Sequence, residues 1–355
     1  MTTASTQLAP PFDAELKPIL DELTKSIPST LTPEHLDALR GPGFTPLLPQ
    51  LLEGRPIKHE ERTIDGPAGP LLISIFRPLE SKPDAPAFFF THVGGMIFGD
   101  RFVGIAPVVD YVVQFGATVV SVEYRLAPEN PAPAALDDSY AALLWTAAHA
   151  DELGFSSELL FTIGGSAGGG VAAGITLMAR DHNGPALAGQ ILMYAMLDED
   201  NDSVSAQQID GIGVWDRTSN ETGWNFLLGD RRHTDQVTAY ASPSKAESLA
   251  GLPPTYRGRI RRSVPGRRRR IRVEDLGRRR RCRSARLAGW VPPVRTDRPG
   301  QPARFRGQGH PRRLGGADGR LRWPLGRGDS ESPAVECRGR PLPPRPHFTA
   351  AIRKK

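Results

Sequence analysis

Residues 159–180 read LLFTIGGSAGGGVAAGITLMAR, and the pattern of residue types changes twice within this stretch. Leu159 to Ile163 is a short apolar run of the kind a buried strand makes, and Val171 to Arg180 carries a helical pattern. Between them stand Gly164, Gly165, Ser166, Ala167 and Gly168, a G-x-S-x-G turn. A serine at the tip of a sharp strand-to-helix turn sits in strained backbone, so its neighbours must be small. Its hydroxyl then stands at the positive end of the following helix, where negative charge is favoured. A glycine-rich turn with a capping serine would use the same letters. The strand before and the helix after favour a nucleophile.

Upstream by about seventy residues, His92-Val93-Gly94-Gly95 follows the apolar run Ala87 to Phe90. Small residues after a strand are usually only a turn. In this position they also let backbone N–H groups approach a substrate carbonyl and stabilise an oxyanion. The surrounding chain supplies further elements. Leu71 to Phe76, Ala117 to Val122 and Gln190 to Leu197 are strand-like, and Leu136 to Ala148 is helical. Strands alternating with helices at these spacings predict an α/β fold, a mainly parallel sheet with helices on both faces. Residues 13–60 read as helical, with Leu16, Ile19, Leu20 and Leu23 at helical spacing and Thr32-Pro33-Glu34 as a helix start.

Charge divides the chain sharply. Residues 1–256 hold 15 Lys+Arg against 32 Asp+Glu, a net of −17, and residues 257–355 hold 30 against 7, a net of +23. Both cysteines, Cys282 and Cys337, lie in the basic part, which excludes a disulfide framework from the rest. No apolar run is long enough to span a bilayer, and the N-terminus lacks a secretory pattern, so a cytoplasmic protein is the expectation. No cluster with metal-ligand spacing is visible, and neither a metal nor an organic cofactor is expected. Oligomeric state leaves no mark in the sequence.

These motifs together resemble the hormone-sensitive-lipase-like family of α/β-hydrolase esterases, with its H-G-G-G and G-D-S-A-G-G signatures. Tyr124-Arg125-Leu126-Ala127-Pro128-Glu129, the segment Pro131 to Tyr140, and Met196-Leu197-Asp198-Glu199 are similar to that family as well. The likeness runs from about residue 10 to Tyr256. It implies a carboxylic-ester hydrolase with Ser166 as nucleophile and a small-molecule ester as substrate. It also implies oxyanion N–H groups from Gly94, Gly95 and Ala167, with His92, Gly164 and Gly168 as motif support. Residues 1–60 would be a helical cap over the acyl pocket, 61–256 an incomplete hydrolase core, and 257–355 a basic tail.

Three departures stand out. Val93 replaces a glycine beside the oxyanion donors, where it would narrow or tilt the loop, and Gly165 replaces an acidic residue beside the nucleophile. More seriously, serine needs a base to take its proton. The family places an acid after the strand that begins at Leu252-Pro253-Pro254-Thr255-Tyr256, and a histidine beyond it. Here the arginine runs Arg267–Arg270 and Arg278–Arg281 begin instead. His35, His59, His149, His182 and His233 precede the expected position, and His310 and His347 lack the family's context.

One reading of residues 257–355 is a polyanion-binding arm on a catalytically dead hydrolase. The lack of aromatic platforms and of any binding module speaks against nucleic acid. The other reading is a shifted frame. Displaced by one base, Arg259 to Pro265 permits G-S-A-E-A-F-R, and Arg286 to Val294 permits V-W-P-G-G-F-H-P-F. These resemble the family's acid and histidine loops, in order. The acid would straddle Arg262 and Ser263, and the histidine Pro292 and Pro293. The segment is expected to be disordered or loosely held, since it has too little apolar surface to offset chain entropy. The sheet would then expose an unpaired edge.

Overall fold

Short helices precede the sheet: α1 (Lys17–Leu23), α2 (Leu36–Leu39), which continues from a 3-10 turn at Pro33–His35, and α3 (Leu48–Leu52). The computed structural model describes residues 9–258 except 10, 42–44, 81 and 83. The two cysteines, His310, His347, the arginine runs, the positions Arg262–Ser263 and Pro292–Pro293, and the disorder expected of the tail lie outside the described residues. The reading of residues 13–60 as helical holds at α1 and at the Pro33 start, and needs correction at its C-terminal end. α1 buries no side chain, and Leu16 and Leu23 are each 45% exposed. Ile57 already starts strand β1 (Ile57–Gly66). Its run Lys58-His59-Glu60-Glu61-Arg62 has no apolar alternation, because β1 is a sheet edge with much of its surface in water. Pairing creates it: β1 runs antiparallel to β2 (Gly69–Pro78) from Ile57 opposite Pro78 to Gly66 opposite Gly69. The charges that hide the strand from a sequence reading are paired on it, Glu60 with Arg62 and Arg77, and Glu61 with Arg101. A charged edge also resists pairing with a second chain.

From β2 onward the chain alternates strand and helix. β3 (Ala87–Thr91), α4 (Ala106–Phe115), β4 (Thr118–Val122), α5 (Ala134–Ala148), α6 (Ala150–Leu153) and β5 (Leu160–Gly165) come first. They are followed by α7 (Ser166–Asp181), β6 (Gly189–Met193), α8 (Val204–Gln208), α9 (Arg217–Leu228) and β7 (Thr255–Gly258). The sheet order is β1-β2-β4-β3-β5-β6-β7. β4, β3, β5, β6 and β7 are mutually parallel, while β2 is antiparallel to both of its neighbours. Among the described residues β7 is the far edge.

The central strands are apolar throughout because both sheet faces are covered. Side chains still alternate. Ile73, Ile75, Phe89, Val120 and Val122 pack on one face with Leu136 and Leu143 of α5, Val171 and Ile175 of α7, and Trp224 of α9. Phe76, Phe88, Phe90, Val119 and Ile163 pack on the other with Val108, Val109 and Val112 of α4. Helices thus lie on both faces. The link between β4 and α5 is held by Asp138, 2% exposed, which accepts hydrogen bonds from the Arg125 backbone N–H at 3.0 Å and from its Nε and Nη2 at 2.8 Å. No helix among the described residues is long and apolar enough to cross a membrane.

Candidate active site

Parallel strands end together, so their C-terminal loops meet. β3 pairs with β5 through Thr91 opposite Gly164, which sets the first residues after each strand side by side. After β5 comes Ser166, the first residue of the sixteen-residue helix α7, with φ +51°. A left-handed serine between a strand and a helix stores strain and persists only where its surroundings over-determine it. They do so here through close packing. A Cβ on Gly164 would lie 2.3 Å from the Gly168 carbonyl oxygen, and one on Gly168 would lie 2.1 Å from that of Thr91 and 2.4 Å from that of His92. The Thr91 hydroxyl donates to the Gly168 carbonyl at 2.6 Å, and the Met196 N–H donates to the Ser166 carbonyl at 2.8 Å. Ser166 remains half-buried, while Ala167 behind it is wholly buried.

The β3 loop is held as firmly. Gly94 and Gly95 take φ +128° and +63°, and the Gly94 carbonyl accepts from the N–H groups of Ile97 and Phe98, both at 3.0 Å. Among the described residues the N–H groups of Gly94 and Gly95 have no protein acceptor. The loop's outer side is tied down by Arg40, a residue not singled out in the sequence. Its Nε donates to the Ile97 carbonyl and its Nη2 to the Ala127 carbonyl, while its guanidinium grips Glu129 at 2.7 and 2.8 Å. Tyr124 supports the loop from beneath, its hydroxyl donating to the His92 carbonyl at 2.8 Å.

His92 lies flat on the Tyr124 ring, 3.9 Å between centroids, and is fully buried. Its Nδ1 is 2.8 Å from the Val93 carbonyl, an acceptor only, so Nδ1 carries the proton. Burial pushes this imidazole down to about 4. The ring is therefore a neutral buttress. The sign of its pH effect follows. The unfolded chain binds a proton first as the pH falls, so stability is full above about 6.5 and declines as the pH drops toward 4, by roughly 3 kcal/mol in all. Urea midpoints measured from pH 7 to 4.5 are expected to fall more steeply for the native chain than for His92→Asn. Equal slopes would show that His92 is not held neutral.

Each of the two local departures has a packing partner. The Val93 methyls lie over Gly104, 3.2 and 3.4 Å from where a Cβ there would be, so the side chain is taken up in space that glycine leaves. Gly165 leaves room for Tyr194, whose hydroxyl is 3.0 Å from the missing Cβ.

The base is another matter. Six histidines are described, and none hydrogen-bonds Ser166. His35 serves the Thr32 turn, His59 faces Ser74, His149 stacks on Trp145, and His182 sits between Tyr140 and Tyr240. His233 meets Glu199 and Asp200. Those three bring possible metal-ligating atoms within 4.8 Å of one another. The sequence hid this cluster because His233 is far along the chain from the acidic pair. Two cations already share Glu199, Lys245 at 3.0 Å and Arg232 at 3.6 Å, so the group is a charge-balanced knot and not a vacant ligand set.

The geometry has counterparts in known proteins. A family model described as the alpha/beta hydrolase fold matches residues 88–257, so the match stops one residue beyond Tyr256. The chain is 35% identical over 211 residues to the esterase LipI of Mycobacterium tuberculosis, which covers 58% of this chain and 66% of LipI, just under two thirds of its length. It is 32% identical over 262 residues to the carboxylesterase NlhH of the same organism, covering 72% of this chain and 80% of NlhH. Among solved structures, a bacterial heroin esterase superimposes with a TM-score of 0.61 at 32% identity, covering 69% of this chain and 78% of that one.

Proposed function

Because the chain belongs to the hormone-sensitive-lipase-like esterase family of α/β-hydrolases, we propose that Ser166 is the nucleophile of carboxylic-ester hydrolysis. The observation that carries this is the left-handed Ser166, half-open at the end of β5, in an elbow whose Gly168 packs against the end of β3. In this reading Oγ attacks the acyl carbon of a small ester. Negative charge develops on the carbonyl oxygen and is met by the N–H groups of Gly94, Gly95 and Ala167, aided by the dipole of α7. Collapse of the adduct expels the alcohol, and water then releases the acid and restores the serine. No step calls for a metal or organic cofactor.

A proton must leave Oγ on attack, and no described histidine hydrogen-bonds it. We place the acid and histidine in the shifted frame of residues 257–355, and on that reading the present chain is impaired. In a chain with the frame restored after Tyr256, a fluorophosphonate labels Ser166 rapidly, as located by mass spectrometry, and Ser166→Ala removes the label. The chain as it stands labels slowly or not at all. Absence of label at Ser166 in the restored chain would reject the nucleophile assignment.

The same missing base favours a second reading, a catalytically silent hydrolase fold whose +23 segment binds polyanions. Salt-dependent retention on DNA by the full chain, lost on removing residues 257–355, would support it. Elution at low salt would dismiss it.

A further inference from the structure

The connection between β6 and α9 returns over the β3 loop and brings Trp215 with it. A Cβ on Gly95 would lie 2.4 Å from Cη2 of this indole and 3.0 Å from Cζ2. The six-membered edge of the ring therefore rests directly on one of the two glycines assigned to the oxyanion. A second glycine yields to the same ring: at Gly223, on α9, a Cβ would be 3.5 Å from Cζ2 and 3.2 Å from the Gly95 carbonyl oxygen. Phe98 is the neighbouring aromatic, its centroid 6.4 Å away.

The ring is held in place from behind. Its Nε1–H donates to Asn220 Oδ1 at 3.1 Å, and Asn220 donates onward to Asn201 Oδ1 at 2.9 Å. The next residue, Asp216, is 2% exposed and caps α9. It accepts hydrogen bonds from the Thr30 hydroxyl, the Gly211 N–H, and both the N–H and hydroxyl of Ser219. Thr30 belongs to the N-terminal segment, whose Leu31 is fastened to the same helix through Ser219 and Thr222. Two distant stretches thus converge to hold one indole against the loop. Trp215 itself is only half-buried, so part of this braced ring stays open.

We infer that Trp215 is a specificity-determining residue: its indole is the wall of the ester pocket beside the oxyanion loop, and it limits the group bound there to short chains. The inference rests on the assignment of Ser166 and Gly95 above. A large, fixed aromatic ring in contact with the loop takes up the volume a longer chain would need. Removing it opens that space and adds apolar burial for each further methylene.

The test uses the full chain carrying Ser166→Ala, in which bound esters stay intact, so that binding is read without turnover. Dissociation constants for p-nitrophenyl acetate and p-nitrophenyl hexanoate are measured by calorimetry. Adding Trp215→Ala is expected to shift the hexanoate-to-acetate ratio roughly tenfold toward hexanoate, the gain of about two buried methylenes. Trp215→Leu keeps apolar bulk for the core and must shift the ratio in the same direction. Trp215→Phe is expected to stay within about threefold of the parent. An unchanged ratio in both the Ala and Leu variants would overturn the inference. So would failure of both esters to bind the parent, since Trp215 would then line no pocket. Turnover by the chain with Ser166 intact is read separately and bears on the nucleophile alone.

Discussion

The chain with residues 257–355 as they stand is expected to hydrolyse p-nitrophenyl butyrate on the order of a million-fold more slowly than a chain whose frame is restored after Tyr256. The size follows from what each form contains. Both hold Ser166 at its elbow and the β3 loop after the neighbouring strand, so on the proposed reading both retain binding and oxyanion stabilisation. On the shifted-frame reading, only the restored form carries the histidine that takes the proton from Oγ and the acid that orients it. Serine hydrolases that lose the triad histidine keep only the residual contribution of the oxyanion hole. Ser166→Ala in the restored chain is expected to fall to the same floor, because nucleophile and base act as one unit. A present chain as fast as the restored one, and silenced by Ser166→Ala, would mean that another group serves as base. His92, whose carbonyl lies against Gly168 of the elbow, is buried, neutral and already donating to Val93. The shifted-frame account would then be wrong.

The second large effect is on stability. Gly168→Ala is expected to cost about 3 kcal/mol or more, far beyond an ordinary glycine replacement in a helix. In an exposed helix this change would stabilise by close to 1 kcal/mol, since alanine is the better helix former. Here the sign reverses. The new methyl would lie 2.1 Å from the Thr91 carbonyl oxygen and 2.4 Å from that of His92, backbone atoms at the end of a buried strand that have nowhere to go. Relief requires pushing β3 away from α7, which breaks the Thr91-to-Gly168 hydrogen bond and separates the loop from the serine. Denaturant unfolding of the variant measures the loss. A stability equal to the parent's would show that the elbow and the β3 loop are not in contact. Gly229→Ala is the control: a Cβ there meets nothing within 4 Å, and its cost reduces to the strain of φ +55°.

The amino-acid sequence by itself determined the strand–turn–helix around Ser166 and the position of the glycine loop after β3. Such turns are written within about ten consecutive residues: an apolar run, small residues where backbone must approach backbone, then a helical period. The end of the matched fold at residue 257 was legible for a related reason, since a change of composition needs no partner to be seen. Tertiary structure alone decided what holds these pieces. β1 became a strand by pairing with β2 along its length, although its polar run offers no apolar alternation. Arg40 reaches the β3 loop from residues that read only as the end of a short helix. Trp215 comes from a connection whose glycines and polar residues predict no element, and its role depends on Gly95 lying beneath it. The Val93 methyls lie in the space that Gly104 leaves. In each case the deciding contact joins residues far apart in the chain, and a side chain that meets a distant partner leaves no period or spacing in its own neighbourhood.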